Sequence, residues 1–181
     1  MTIIEIIAVF FAVSYVILAA RESIWCWLAA AISVLLYIYI CYNAKLYPET
    51  GLQVFYLIMA AYGYIQWNKP KKNTPIISWS KQKHLLIIVI SSIASIGLGY
   101  YFDEYTDAKL PYLDSATTTF SLFATYMVTK KVIENWMYWI VIDIASIYLY
   151  YNRDLTISAG LFALYVVLAT IGYFQWKKKM A

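Results

Sequence analysis

Charge, cysteine and histidine are all scarce in this chain. Asp, Glu, Lys and Arg make up 13% of its 181 residues, against about 25% in ordinary soluble domains. The apolar share is 63%, where soluble domains run at about 45–50%. One core cannot hide that much apolar surface from water, but lipid can solvate it, so composition argues against a soluble fold. The two cysteines, Cys26 and Cys41, share one apolar run, which excludes a disulfide framework or metal-ligand spacing. They read as small buried hydrophobes. His84 is the single histidine and stands beside a basic segment, so no His pair or His–nucleophile couple exists. G-x-x-x-x-G-K-[ST], H-E-x-x-H and G-x-S-x-G are also missing, which removes P-loop ATP hydrolysis, zinc proteolysis and serine acyl transfer. No catalytic residue, metal or cofactor is expected. The net charge of +4 raises nucleic acid as a partner, but the charges lie between apolar runs, which points to membrane topology instead.

Long apolar runs are what the chain has in abundance. A spanning helix needs about 20 mostly apolar residues. Runs near residues 3–20, 24–43, 50–67, 84–102, 114–129, 135–151 and 155–176 predict an all-α integral membrane protein with seven transmembrane helices. The first run has no basic segment before it and is followed at once by others, so it reads as a span rather than a signal peptide. The fourth run is plain Ile, Leu, Ser and Gly, whereas the rest are rich in Tyr and Trp. Many of these aromatics fall within the spans and not only at their ends, which leaves room for a lined cavity. Seven crossings would put Arg21, Lys69, Lys71, Lys72, Lys81, Lys83, Lys130, Lys131, Lys177, Lys178 and Lys179 on one side. Lys45, Lys109 and Arg153 would lie on the other. The positive-inside rule then places the N-terminus outside and the C-terminus in the cytoplasm.

The chain also matches itself at an offset of 109 residues. YGYIQW (Tyr62–Trp67) aligns with IGYFQW (Ile171–Trp176). The same shift pairs Trp27 with Trp136, Asn43 with Asn152, Leu46 with Leu155, Gly51 with Gly160, Tyr56 with Tyr165 and Gly63 with Gly172. Two like-oriented three-helix repeats need one helix between them to return the chain. The expected organisation is therefore 3+1+3. Residues 1–67 form the first repeat, and residues 112–181 form the second. Residues 68–111 hold a basic cytoplasmic loop, the linker helix and an acidic outer loop. Parallel repeats of this kind usually enclose a site at their interface.

Asp143 is the principal candidate in that site. It lies at the centre of the sixth run, where a carboxylate costs about 2.5–3.5 kcal/mol on insertion scales and usually faces the bundle interior or a wet cavity. Trp136, Trp139 and Asp143 stand at i, i+3 and i+7 and share one helix face. A carboxylate below two aromatic rings suits a cationic organic ligand, because rings attract a cation at roughly 0.5–2 kcal/mol each. The alternative is that Asp143 bonds a neighbouring Tyr hydroxyl and only locks the bundle. Trp136 alone also fits an interfacial anchor. The first repeat offers Ser33, one position before the mate of Asp143, and the face shared by Gln53 and Tyr56. Gln53 fits an interhelical hydrogen bond as well as a ligand contact. Gln66 and Gln175 read as helix-end anchors, or as parts of a gate.

LAARESIWCW (Leu18–Trp27), KLYPETGLQVFYLIMAAYGYIQW (Lys45–Trp67) and KKVIENWMYWIVIDIASIYLY (Lys130–Tyr150) resemble the Pnu family of bacterial vitamin transporters. The resemblance implies a 3+1+3 fold related to the SWEET sugar transporters, in the bacterial cytoplasmic membrane. It implies facilitated diffusion of a B vitamin, made one-way by a cytoplasmic kinase that phosphorylates it. The expected partners are therefore the vitamin, the bilayer and that kinase, with homo-oligomerisation left open. Asn135, in the ENWxxW stretch, and Trp27, the mate of Trp136, join the candidate substrate contacts. Members associated with nicotinamide riboside carry Asn where this chain has Asp143. The short inter-repeat region and VIDIAS look more like members associated with thiamine. Thiamine is slightly favoured, nicotinamide riboside stays open, and a proton-coupled carrier using Asp143 or a non-transporting membrane subunit are the rival readings.

Overall fold

The computed structural model describes residues 3–43, 47–68 and 75–180. Lys45, Leu46, Lys69, Lys71 and Lys72, used in the basic count and the repeat, lie outside the described residues. Seven helices follow the expected runs closely: α1 (Ile3–Ala20), α2 (Trp25–Asn43), α3 (Tyr47–Trp67), α4 (Lys81–Tyr105), α5 (Pro111–Thr129), α6 (Asn135–Asn152) and α7 (Thr156–Met180). Pro111 opens α5, where its missing N–H costs nothing.

Seven helices are not seven spans. Among the described residues only α1, α2, α4 and α7 are long and apolar enough to cross a membrane. The reason lies in side-chain polarity. α3 carries Glu49, Thr50, Gln53 and Gln66, and α5 carries Asp114, Ser115, Ser121 and five threonines. α6 carries Asn135, Asp143, Ser146 and Asn152. The architecture is a seven-helix bundle with four apolar membrane-spanning helices. The seven-span, 3+1+3, SWEET-like expectation is corrected accordingly, because it needed every helix of both repeats to cross.

α1 packs against α2 and α7, α3 against α2 and α5, and α6 against α5 and α7, while α4 packs along α5 and reaches α6 through His84, whose Nδ1 lies 3.1 Å from the Tyr138 hydroxyl. α1 and α5 end in the same way. Glu22 and Lys131 take left-handed backbone at φ 58° and 52°. In each turn the chain folds back onto the last helical carbonyls: Glu22 N–H donates to Ala19 and Ser23 N–H to Leu18, as Lys131 N–H does to Val128 and Val132 N–H to Met127. Left-handed backbone is unfavourable for side chains with a Cβ. Here the two strained residues face each other, and Lys131 Nζ lies 2.8 Å from Glu22 Oε2. Lys179 Nζ, from α7, reaches Glu22 Oε1 at 2.8 Å. The indole N–H of Trp176 donates to Ala19 O at 3.1 Å, and that of Trp67 to Thr129 O at 3.2 Å. These bonds tie α1 to α7 and α3 to α5 at one Lys-rich end. The opposite, acidic end is tied by Arg153 to Asp114 at 2.8 Å.

Burial of Glu22 pushes its carboxyl up, but Lys131 and Lys179 outweigh this and hold it below the ordinary carboxylate range. The fold therefore favours ionised Glu22. That stabilisation is full above the ordinary carboxylate range and is lost as pH falls through the lowered value. The melting temperature in detergent should fall on acidification across that window, and Glu22→Gln should flatten the fall. Equal pH dependence in both proteins would remove Glu22 as its source.

Candidate functional site

The turn after α5 aims α6 into the bundle. Asn135, fully buried, donates from Nδ2 to Val132 O at 2.6 Å and so fixes the start of the helix. From there Trp136, Trp139 and Asp143 reach one cavity of about 180 Å³, closed by Tyr15 and Val16 of α1 and Tyr165 of α7. Asp143 is 3% exposed, and no hydrogen bond or ion pair reaches its carboxylate among the described residues. A buried carboxylate without a partner is costly, so the group either holds a proton or needs something else to meet its charge. The surroundings are aromatic, and rings present negative faces that suit a cation.

A second chamber of about 270 Å³ lies toward the acidic end, between α3, α5 and α6. Tyr56 lines it, with its hydroxyl 2.6 Å from Ser121 Oγ. Trp139 and Phe162 belong to both chambers and form the partition between them.

The remaining predicted residues lie elsewhere. Ser33 donates to Ala8 O at 2.8 Å and joins α2 to α1. Trp27 is 2% exposed and packs on Gly63, at the α2–α3 contact. Gln53 is half-buried on α3 and lines neither chamber. Asn135 supports the start of α6 from outside the cavity. Sequence reasoning missed Tyr15, Phe162 and Tyr165 as lining residues. Tyr165 had a usable signal, since it is the offset-109 mate of Tyr56. Tyr15 had none, because only the packing of α1 across the bundle brings it to α6.

A bundle that crosses lipid and holds an aromatic, carboxylate-bearing cavity defines a carrier of small solutes. The family pattern described as nicotinamide mononucleotide transporter matches residues 2–178. The chain belongs to that family, the PnuC-type vitamin transporters, and is a multi-pass protein of the bacterial inner membrane and not an enzyme. It is 27% identical to the nicotinamide riboside transporter PnuC of Neisseria mucosa, over 90% of this chain and 67% of the relative. It is 21% identical to the riboflavin/roseoflavin transporter RibM of Streptomyces davaonensis, over 88% of this chain and 77% of the relative. The crystal structure of the vitamin B3 transporter PnuC shares the fold, with a TM-score of 0.74 at 23% identity. That match covers 97% of this chain and 80% of the solved one.

Proposed function

We propose that this vitamin transporter moves a small cationic B vitamin by facilitated diffusion with alternating access, with thiamine favoured over nicotinamide riboside. The observation that carries the reading is Asp143, buried and unpartnered in an aromatic cavity. A fixed positive ring supplies both the charge that Asp143 lacks and the flat face that Trp136 and Trp139 can stack on. A cytoplasmic kinase would make net uptake one-way by phosphorylating the vitamin. Calorimetric titration of the purified protein with thiamine, nicotinamide riboside and riboflavin tests the reading. Either cationic vitamin should bind more tightly than neutral riboflavin, and tighter riboflavin binding would overturn the cation argument.

The proposed orientation follows from the ends of the bundle. α1 and α7 both finish at the Lys-rich end, where Lys179 meets Glu22. The positive-inside rule puts that end in the cytoplasm and the start of α1 outside. A reporter fused after Ala181 should be active only in the cytoplasm, and periplasmic activity would contradict the orientation.

A further inference from the structure

We infer that an open pocket at the Lys-rich end of the bundle binds a phosphate monoester group. The pocket measures about 610 Å³, inside the roughly 300–1,000 Å³ of ligand pockets. It is lined by Arg21 and Glu22 after α1, Pro75 and Ile76 before α4, Lys131 after α5 and Lys179 of α7. It shares no lining residue with either chamber beside α6. Four separate stretches of chain thus bring three cations to one carboxylate.

The fold does not consume this surplus of positive charge. Both oxygens of Glu22 are taken, Oε2 by Lys131 Nζ and Oε1 by Lys179 Nζ, each at 2.8 Å. The guanidinium of Arg21 has neither an ion pair nor a hydrogen bond among the described residues. Lys131 is 9% exposed, yet its ammonium gives one hydrogen bond, to Glu22, and otherwise lies 4.7 Å over the Trp67 ring. An ammonium has three donors, and a buried charge is costly unless they find acceptors. Lysines often gather at helix C-termini to meet free carbonyls, but here those carbonyls are already bonded. Leu18 and Ala19 O at the end of α1, and Met127 and Val128 O at the end of α5, accept backbone N–H groups from the turns that follow. The Trp176 indole adds a second donor to Ala19 O.

A phosphate monoester matches what is left. It carries a charge of about −1.5 to −2 at pH 7 and three strong acceptor oxygens. Arginine offers phosphate two parallel donors, and lysine offers it a point charge. A lone carboxylate would leave one cation unmatched. Pro75 and Ile76 give the organic remainder an apolar wall. The group can come from a soluble organic phosphate or from an anionic lipid, since basic pockets between spanning helices also take lipid headgroups. Either would bridge α1, the turn before α6 and α7, so occupancy should stabilise the bundle.

The test uses the purified full chain. Glycerol 3-phosphate in detergent is the soluble probe, and phosphatidylcholine nanodiscs with or without phosphatidic acid are the lipid probe. Neither contains a vitamin, so the outcome is independent of the Asp143 reading. At least one probe should raise the melting temperature, whereas glycerol, or sodium chloride at matched ionic strength, should not. Arg21→Gln and Lys179→Gln should each raise the probe concentration needed about tenfold, the scale of one charged hydrogen bond. Arg21→Gln breaks no bond made within the described protein, so its probe-free melting temperature should hold. Lys83→Gln is the charge-matched control: Lys83 lies over the Trp79 ring and does not line the pocket, so its response should equal that of wild type. A response to glycerol 3-phosphate assigns a soluble phosphate, and one to phosphatidic acid alone assigns a lipid headgroup. A response to neither probe, one matched by sodium chloride, or one that Arg21→Gln weakens no more than Lys83→Gln does would overturn the site.

Discussion

Asp143→Asn should weaken binding of the cationic vitamin about tenfold to a hundredfold and should not destabilise the empty protein. The substitution keeps the side-chain size and most of its hydrogen-bonding capacity but removes the charge. Charged hydrogen bonds are worth about 1.5–3 kcal/mol, which sets the loss of affinity. Stability moves by a separate route. Asp143 is 3% exposed, with no hydrogen bond or ion pair to its carboxyl group among the described residues, so its charged form bears an uncompensated desolvation cost in the folded protein. Neutral Asn lowers that cost, and the ligand-free melting temperature should hold or rise. A structural lock would behave in the opposite way, with stability falling and affinity unchanged in well-folded protein. Calorimetry and melting on the same preparation separate the two roles.

Gly63→Ala should destabilise the protein by about 1–3 kcal/mol or more, the usual cost of overpacking, and Gly172→Ala should do so somewhat less. A Cβ on Gly63 would stand 2.4 Å from the Trp27 ring, and one on Gly172 would stand 2.8 Å from the Trp136 ring. Neither indole is free to retreat. Trp27 is 2% exposed and sits edge-on to Trp67 at 5.2 Å between ring centres. Trp136 is 3% exposed and meets Trp176 in the same manner at 5.4 Å. Gly51 and Gly160 are the matched controls, because a Cβ at either meets nothing within 4 Å. Alanine there should be neutral or stabilising, since Gly within a helix is about 0.8–1 kcal/mol less favourable than Ala. Melting in detergent reads all four variants. The Gly172→Ala protein should also bind ligand less well, because Trp136 would be displaced from the cavity wall. Equal melting temperatures for Gly63→Ala and Gly51→Ala would contradict the packing account.

Helix positions were legible because apolar runs and their polar breaks are local. Which helices cross the membrane was less legible. Tyr and Trp make a segment look like a span to the eye, yet the Thr and Ser of α5 and the Asn and Asp of α6 leave both short of the apolarity needed. The offset of 109 residues reappears in local geometry, in the paired turns at Glu22 and Lys131 and the paired Gly–Trp contacts. Those contacts do not amount to a seven-span, SWEET-like arrangement. Helical spacing was enough to group Trp136, Trp139 and Asp143, since one face of one helix brings them together. It had no means of finding Tyr15 or Phe162, which enter the cavity from α1 and α7. Nor could it tell that Ser33 and Trp27 meet neighbouring helices, because the same residue type serves packing or binding according to what the fold sets opposite it.

Flux of labelled thiamine and nicotinamide riboside into proteoliposomes, without ATP and without an ion gradient, tests the central claim most directly. Facilitated diffusion predicts that one of the two vitamins enters well above protein-free vesicles, stops at equal concentration inside and out, and ignores an imposed pH gradient. Accumulation driven by that gradient would replace the account with a proton-coupled carrier. Entry of neither vitamin above the protein-free level would contradict it outright.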